Sequence, residues 1–357
     1  MKTNIVDIKT FSEKVCCIAD LHIGVHQNNI FWHETALKWA EWLKHELELK
    51  QIKDIFILGD LYHYRDEIAV NTIHVVNQIL TLWRDFNIVI IVGNHDAFYK
   101  DRSDINSLSI LNGWKNISVI SEPVQTVLYG KKCSFIPWGT STNDINASDI
   151  IFGHFEIESF KMNSHKHCDH GIKTDELLTK TSLVMSGHFH LKDERKYGDK
   201  TIIYVGNPFE MDFGYVSSSK GYYILDLSNL KYEFFLNNNS PKHKKILLSE
   251  LGALLEKKNI KEEITNNIVK IIIDKKINSD NIDTLIQKIT TYKPFTLSVD
   301  YSLFDNSISI NEDAQVDISG VDINKAIDEF INILDIDKKP EISRYCLDLY
   351  KKAINVL

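Results

Sequence analysis

The chain has 357 residues, 43% of them hydrophobic and 25% charged, which is the profile of an ordinary globular protein with room for one substantial core and one or two smaller modules. Its net charge of −8 argues against a stand-alone nucleic-acid-binding module, which would carry a basic surface, although bound cations or a partner can supply positive charge. There is no apolar signal core at the start, no run of the roughly 18 apolar residues that a membrane span needs, and no framework spacing among Cys16, Cys17, Cys133, Cys168 and Cys346, so a cytoplasmic protein with reduced, core-packed thiols is expected.

In chain order, VCCIAD (15–20) reads as a strand and 31–50 as a helix in which Trp32, Trp39, Trp42 and Leu43 share a face and pack into the core. DIFILGD (54–60) is a second strand, followed by a helix around 68–84, and NIVIIVGNHD (87–96) a third. A hairpin covers 124–138, and further buried runs lie at 149–155, 182–190, 201–207 and 221–227. This alternation predicts a layered α/β architecture. NNNSPKHKK (237–245) reads as a linker, and beyond it NIVKIIIDKK, a helix near 279–291 and PFTLSVDY form a small β-α-β module. Residues 304–320 are polar and read as a flexible tether. Two amphipathic helices, roughly 322–335 and 341–356, end the chain, the first with Ile323, Ile327, Phe330, Ile331 and Leu334 on one stripe.

One device recurs along the first two-thirds. An apolar run ends, often through a glycine, in a side chain of metal-ligand type: Asp20 and His22, Asp60, Asn94 and His95, His154, then His188 and His190. A buried strand fixes its last residues rigidly, and sites in α/β sheets gather at the carboxyl ends of strands. A carboxylate can bridge two cations while imidazole and amide groups complete the shells without excess charge, so the set suits a binuclear centre. An Asp-x-His alone says little, but GNHD and GHFH directly after strands are far more specific. The plain alternative, turn glycines and surface histidines, would have to hold independently at five strand ends.

In these blocks the sequence resembles the calcineurin-like metallophosphoesterases, whose ordered signature is D-x-H, G-D, G-N-H-[DE], G-H and G-H-x-H, found here at 20–22, 59–60, 93–96, 153–154 and 187–190. The resemblance implies one metal held by Asp20, His22, Asp60 and His190 and another by Asp60, Asn94, His154 and His188, with Asp60 bridging. His95 is then a non-ligand acid that assists the leaving oxygen. GDLYHYR (59–65) is similar to the SbcD-type DNA repair nucleases, which carry an active-site histidine three residues after the bridging aspartate, here His63. YVGNPFEMDF and KGYYILDL (204–227) resemble the same branch. Nuclease subunits of T4-type phage recombination endonucleases share VGNHD...YK, IPW at 136–138, the GH-to-GHFH interval and a helical tail, a likeness strongest over 15–227.

What the resemblance implies is a metallophosphoesterase β-sandwich flanked by helices, with a small α+β capping domain and a C-terminal helical tail. The expected domains are 1–236 catalytic, 237–303 capping, 304–320 linker and 321–357 partner-docking. Two divalent metal ions are expected; mixed nitrogen and oxygen ligation suits Mn²⁺, with Mg²⁺, Fe and Zn as alternatives. The expected working unit is a homodimer bound to an SbcC-like coiled-coil ATPase. It would act on DNA, double-stranded ends and single strands alike, as a 3′-to-5′ exonuclease and single-strand endonuclease in phage recombination, repair and replication, with no membrane involved. A phosphatase or cyclic-nucleotide phosphodiesterase with the same binuclear site is one alternative, and a non-enzymatic scaffold with a structural metal site is another. HKHCDH (165–170) fits no closed Cys/His zinc pattern and reads as a polar loop from which His170 can reach a substrate; KHKK (242–245) reads as solvated linker.

Overall fold

The structure is a computed structural model that describes residues 8, 10–162, 166–216, 218–255, 260–275, 279–301, 331 and 338–354. It divides into two compact units, Met1–Phe304 and Asp305–Leu357.

In the first unit β1 (Lys14–Ile18) leads to helix α1 (Ile30–Leu49), β2 (Asp54–Ile57), helix α2 (Val70–Leu82), β3 (Asn87–Ile91) and β4 (Ile117–Ile120). The hairpin β5 (Val124–Leu128) and β6 (Lys131–Ile136) follows, then β7 (Ile150–His154), a short helix α3 (Thr174–Leu178), β8 (Leu183–Gly187), β9 (Asp193–Tyr197), β10 (Lys200–Tyr204), β11 (Gly221–Asp226) and β12 (Tyr232–Leu236). Two six-stranded mixed sheets result, ordered β12-β11-β1-β2-β3-β4 and β5-β6-β7-β8-β10-β9. β1 to β4 run parallel in the first sheet, and β6, β7, β8 and β10 run parallel in the second.

The strands read as unbroken apolar runs because both of their faces are covered. Cys16, Ile18, Ile55, Ile57, Ile88 and Ile90 point to the helix side, where they meet Trp39, Leu43, Val76 and Ile79 of α1 and α2. Cys17, Phe56, Leu58, Val89 and Ile91 point the other way and pack with Phe135, Phe152, Met185 and Ile203 of the second sheet. Trp32, Trp39 and Leu43 are buried and Trp42 packs partly buried beside them, as the helical spacing predicts.

Four strands escaped the sequence reading: β4, β9, β12 and the first strand of the small module. The 237–245 stretch is not all linker, because β13 (His243–Leu247) runs parallel to β14 (Ile268–Ile272), which pairs with β15 (Thr296–Asp300). The lysines of KHKK masked this edge strand: His243 and Ile246 turn inward while Lys245 stays exposed. Helices α4 (Leu248–Leu255), α5 (Ile260–Ile264) and α6 (Ser279–Thr290) accompany the three strands, and Leu251, Ile264, Val269, Ile271 and Ile289 form their core. Nor is the 221–227 run the last strand of the two-sheet body, since β12 follows and pairs antiparallel with β11. The 304–320 tether and, apart from Ile331, the 322–335 helix lie outside the described residues. In the second unit helix α7 (Lys339–Ile354) covers the last predicted helix, with half-buried Ile342, Cys346 and Tyr350 recurring every four residues.

Candidate metal centre

All nine residues singled out in the sequence lie just beyond the carboxyl ends of parallel strands: Asp20 and His22 after β1, Asp60 and His63 after β2, Asn94 and His95 after β3, His154 ending β7, and His188 and His190 after β8. The loops are cross-braced, with the amides of Asp20 and His22 donating to the carbonyls of Gly59 and Asp60 at 3.0 Å each. The backbone is strained where the ligand-type side chains sit. Asp20, His22, Asp60 and His188 have φ of 55°, 45°, 56° and 93°, a region non-glycine residues avoid and that clusters at functional sites. The glycines beside them make room: a Cβ on Gly59 would lie 2.1 Å from Nδ1 of His154, and one on Gly93 would lie 2.2 Å from Oδ1 of Asp60.

Seven of these side chains converge in two groups that share Asp60. His22 Nε2 lies 2.8 Å from His190 Nε2 and 3.5 Å from Asp60 Oδ2. On the other side His154 Nε2 lies 3.3 Å from Asp60 Oδ2 and 2.9 Å from Asn94 Oδ1, and His188 Nδ1 lies 2.8 Å from the same amide oxygen. Oδ2 of both Asp20 and Asp60 is buried without a hydrogen-bond partner. His154 Nδ1 donates to the Leu58 carbonyl at 2.7 Å, so a neutral ring turns the lone pair of Nε2 toward two oxygens. Such an arrangement needs a proton or a cation. The orphaned carboxylate oxygens and opposed imidazole nitrogens fit two divalent cations, with Asp60 able to touch both.

The electrostatics of these side chains point the same way. Burial works against ionisation of Asp60, yet His154 and His22 hold its carboxyl well below the ordinary range. Burial, with Asp60 adding, raises Asp20 to about 7. For His154 burial opposes the charge, but Asp60 outweighs it and raises the ring to about 9. Burial, with the facing imidazole of His190, lowers His22, and burial, with Lys220 beside it, takes His190 down to about 3. Both His154 and Asp20 are thus shifted toward holding a proton, so cations binding there would compete with protons.

His95 and His63 stand at the rim. His95 Nδ1 donates to the His63 carbonyl at 2.5 Å, its amide donates to Asp60 Oδ1 at 2.8 Å, and its ring centre is 4.6 Å from that of His22. His63 stacks on His95 at 5.4 Å, and its Nδ1 lies 3.2 Å from His22 Nδ1.

Three site residues went unread in the sequence. Asp96 accepts from the amides of Asp60, Tyr62 and Gly93 at 2.8, 3.0 and 3.1 Å, tying the second strand-end loop to the third; the fourth letter of GNHD was its only signal. Lys220 is buried and donates to the His190 carbonyl at 2.7 Å and to Asn207, which nothing in KGYYILDL announces. Glu156 Oε1 lies 3.6 Å from His188 Nε2, and Glu156 is visible in the sequence only as a carboxylate two residues past a GH block.

No family model matches the chain. It is 26% identical over 361 residues to exonuclease subunit 1 of Enterobacteria phage T4, covering 95% of this chain and 99% of that protein. To the SbcD component of the nuclease SbcCD from Staphylococcus epidermidis it is 24% identical over 358 residues, covering 89% and 92%. Among solved structures it is similar to a novel archaeal phosphodiesterase (13% identity, TM-score 0.36, 63% of this chain and 99% of that one) and to a hypothetical protein of Pyrococcus horikoshii (11%, 0.37, 62% and 87%).

Proposed function

We propose that this chain, a metallophosphoesterase of the SbcD type and hence a metal-dependent hydrolase of DNA phosphodiester bonds, is the nuclease subunit of a phage recombination and repair complex. The observation that carries the reading is Asp60, whose buried Oδ2 makes no hydrogen bond yet stands 3.5 Å from His22 Nε2 and 3.3 Å from His154 Nε2, between the two ligand groups. Asp20, His22, Asp60 and His190 would hold one cation, and Asp60, Asn94, His154 and His188 the other. When bound, the pair supplies Lewis acidity and a nucleophile at neutral pH. Mn²⁺ suits the mixed ligands best.

His95 is assigned the proton for the departing 3′ oxygen. Its Nδ1–H is held on the His63 carbonyl, which fixes the ring; to give the leaving group a proton from Nε2 it would enter the step as imidazolium and leave it neutral. His63, stacked on His95, is assigned to orient the scissile phosphate. The same proposal includes 3′-to-5′ polarity, single-strand endonuclease activity, a homodimer, an SbcC-like coiled-coil ATPase partner and a place in the host cytoplasm, as the sequence resemblance to SbcD-type nucleases implies. Such a partner also answers the net charge of −8, because a tethered ATPase raises the effective concentration of DNA at the site.

The test is hydrolysis by the purified chain in Mn²⁺ and in Mg²⁺, on duplex DNA ends, single strands and p-nitrophenyl phosphate, with and without the ATPase. DNA cleavage that depends on Mn²⁺ and is stimulated by the ATPase is expected. Turnover of p-nitrophenyl phosphate with DNA left intact would move the chain to the phosphatases.

A further inference from the structure

The loop between β7 and α3 carries HKHCDH, which the binuclear centre does not use. Its two arms are stitched together: Ser159 donates to the Cys168 carbonyl at 2.7 Å, Cys168 to the Phe160 carbonyl at 2.8 Å and Ile172 to the Glu156 carbonyl at 2.8 Å. The pairing brings Glu156 from one arm against Cys168 and His170 from the other, with one ligand atom of each within 4.8 Å of the other two. Cys168 is almost wholly buried, its Sγ 4.0 Å from His170 Nδ1. Carboxylates face both nitrogens of His170, Asp169 Oδ1 at 2.7 Å and Glu156 Oε1 at 3.2 Å. A neutral imidazole can donate to only one of them, so a proton or a metal ion is needed on the other side.

We propose that Glu156, Cys168 and His170 form a third metal site, for a borderline-soft divalent ion such as Zn²⁺, separate from the binuclear pair. Thiolate, imidazole and carboxylate are zinc ligand types, and three protein ligands leave a fourth position to water. The hard ions Mg²⁺ and Mn²⁺ prefer oxygen and would be excluded by the sulfur. Glu156 also faces His188 Nε2 at 3.6 Å, so the site lies one carboxylate away from the binuclear centre.

The experiment uses the untagged full chain carrying Cys346→Ser, so that the remaining cysteines other than Cys168 are the core-buried Cys16, Cys17 and Cys133. Cobalt(II) shows a thiolate-to-metal charge-transfer band only where sulfur is a ligand, and the binuclear set contains none. We expect three equivalents to bind, with a band that Zn²⁺ abolishes. Cys168→Ser and His170→Gln should each lose the band and one equivalent while keeping two; His170 is exposed, so its variant separates metal loss from misfolding. A band that survives Cys168→Ser, or uptake that stops at two equivalents in the parent chain, overturns the proposal.

Discussion

At Asp60 a left-handed backbone, a buried carboxylate and an oxygen without a hydrogen bond coincide, and each alone is costly. A side chain tolerated on those terms is explained by what it binds. Asp60→Asn keeps the shape and the acceptor from His95 but removes the charge that both ligand groups share. It should abolish Mn²⁺-dependent hydrolysis with an unchanged circular dichroism spectrum; wild-type turnover in this variant would refute the shared-ligand assignment. His95 separates binding from chemistry. His95→Ala should retain two metals by calorimetry or anomalous scattering while turnover falls by about 10²–10⁴-fold, the usual contribution of a positioned proton donor. Loss of a metal ion would instead make His95 a ligand.

Among the elements, α7 differs most from the two-sheet body. It belongs to the second compact unit, and Ile342, Cys346 and Tyr350 give it one apolar stripe beside an exposed Tyr345. A short amphipathic helix gains little stability from its own hydrogen bonds and most from the surface that its stripe meets, which is the design of a helix that docks in a groove. Deleting 321–357 should therefore leave metal binding, the melting temperature of the remainder and basal Mn²⁺-dependent cleavage of short oligonucleotides nearly unchanged. It should remove ATPase binding and ATP-stimulated resection. Unfolding or aggregation of the truncated chain would show that these residues complete the catalytic fold.

Across the whole molecule, the buried centre couples metal uptake to protons. Against the effect of burial Asp60 pushes His154 up to about 9, and burial raises Asp20 to about 7, so cations that use these atoms compete with protons. Apparent Mn²⁺ affinity should then rise with pH from about 6.5 to 9, by about tenfold per unit for each proton released, and flatten above it. Calorimetry in buffers of different ionisation enthalpy should count at least one proton released at pH 7.5. Affinity that is flat or falls over this range would mean that His154 is not displaced.

Local pattern alone settles the apolar runs that become strands β1, β2, β3, β7 and β8, the helix carrying Trp39 and Leu43, and the ligand-type residues at the strand ends. Those positions are legible because a strand covered on both faces must be apolar throughout, and the first polar residues after it stand out. The remaining features depend on groups far apart in the chain that folding brings together. Pairing with β11 made a strand of YEFFL, and pairing with β14 made one of lysine-rich HKKIL. The fold also brought the Asp96 carboxylate onto the amides after β2, buried Lys220 under His190, and set Glu156 between His188 and His170. No spacing rule encodes such contacts, because each is fixed by the register and packing of strands that the chain joins only through long connections.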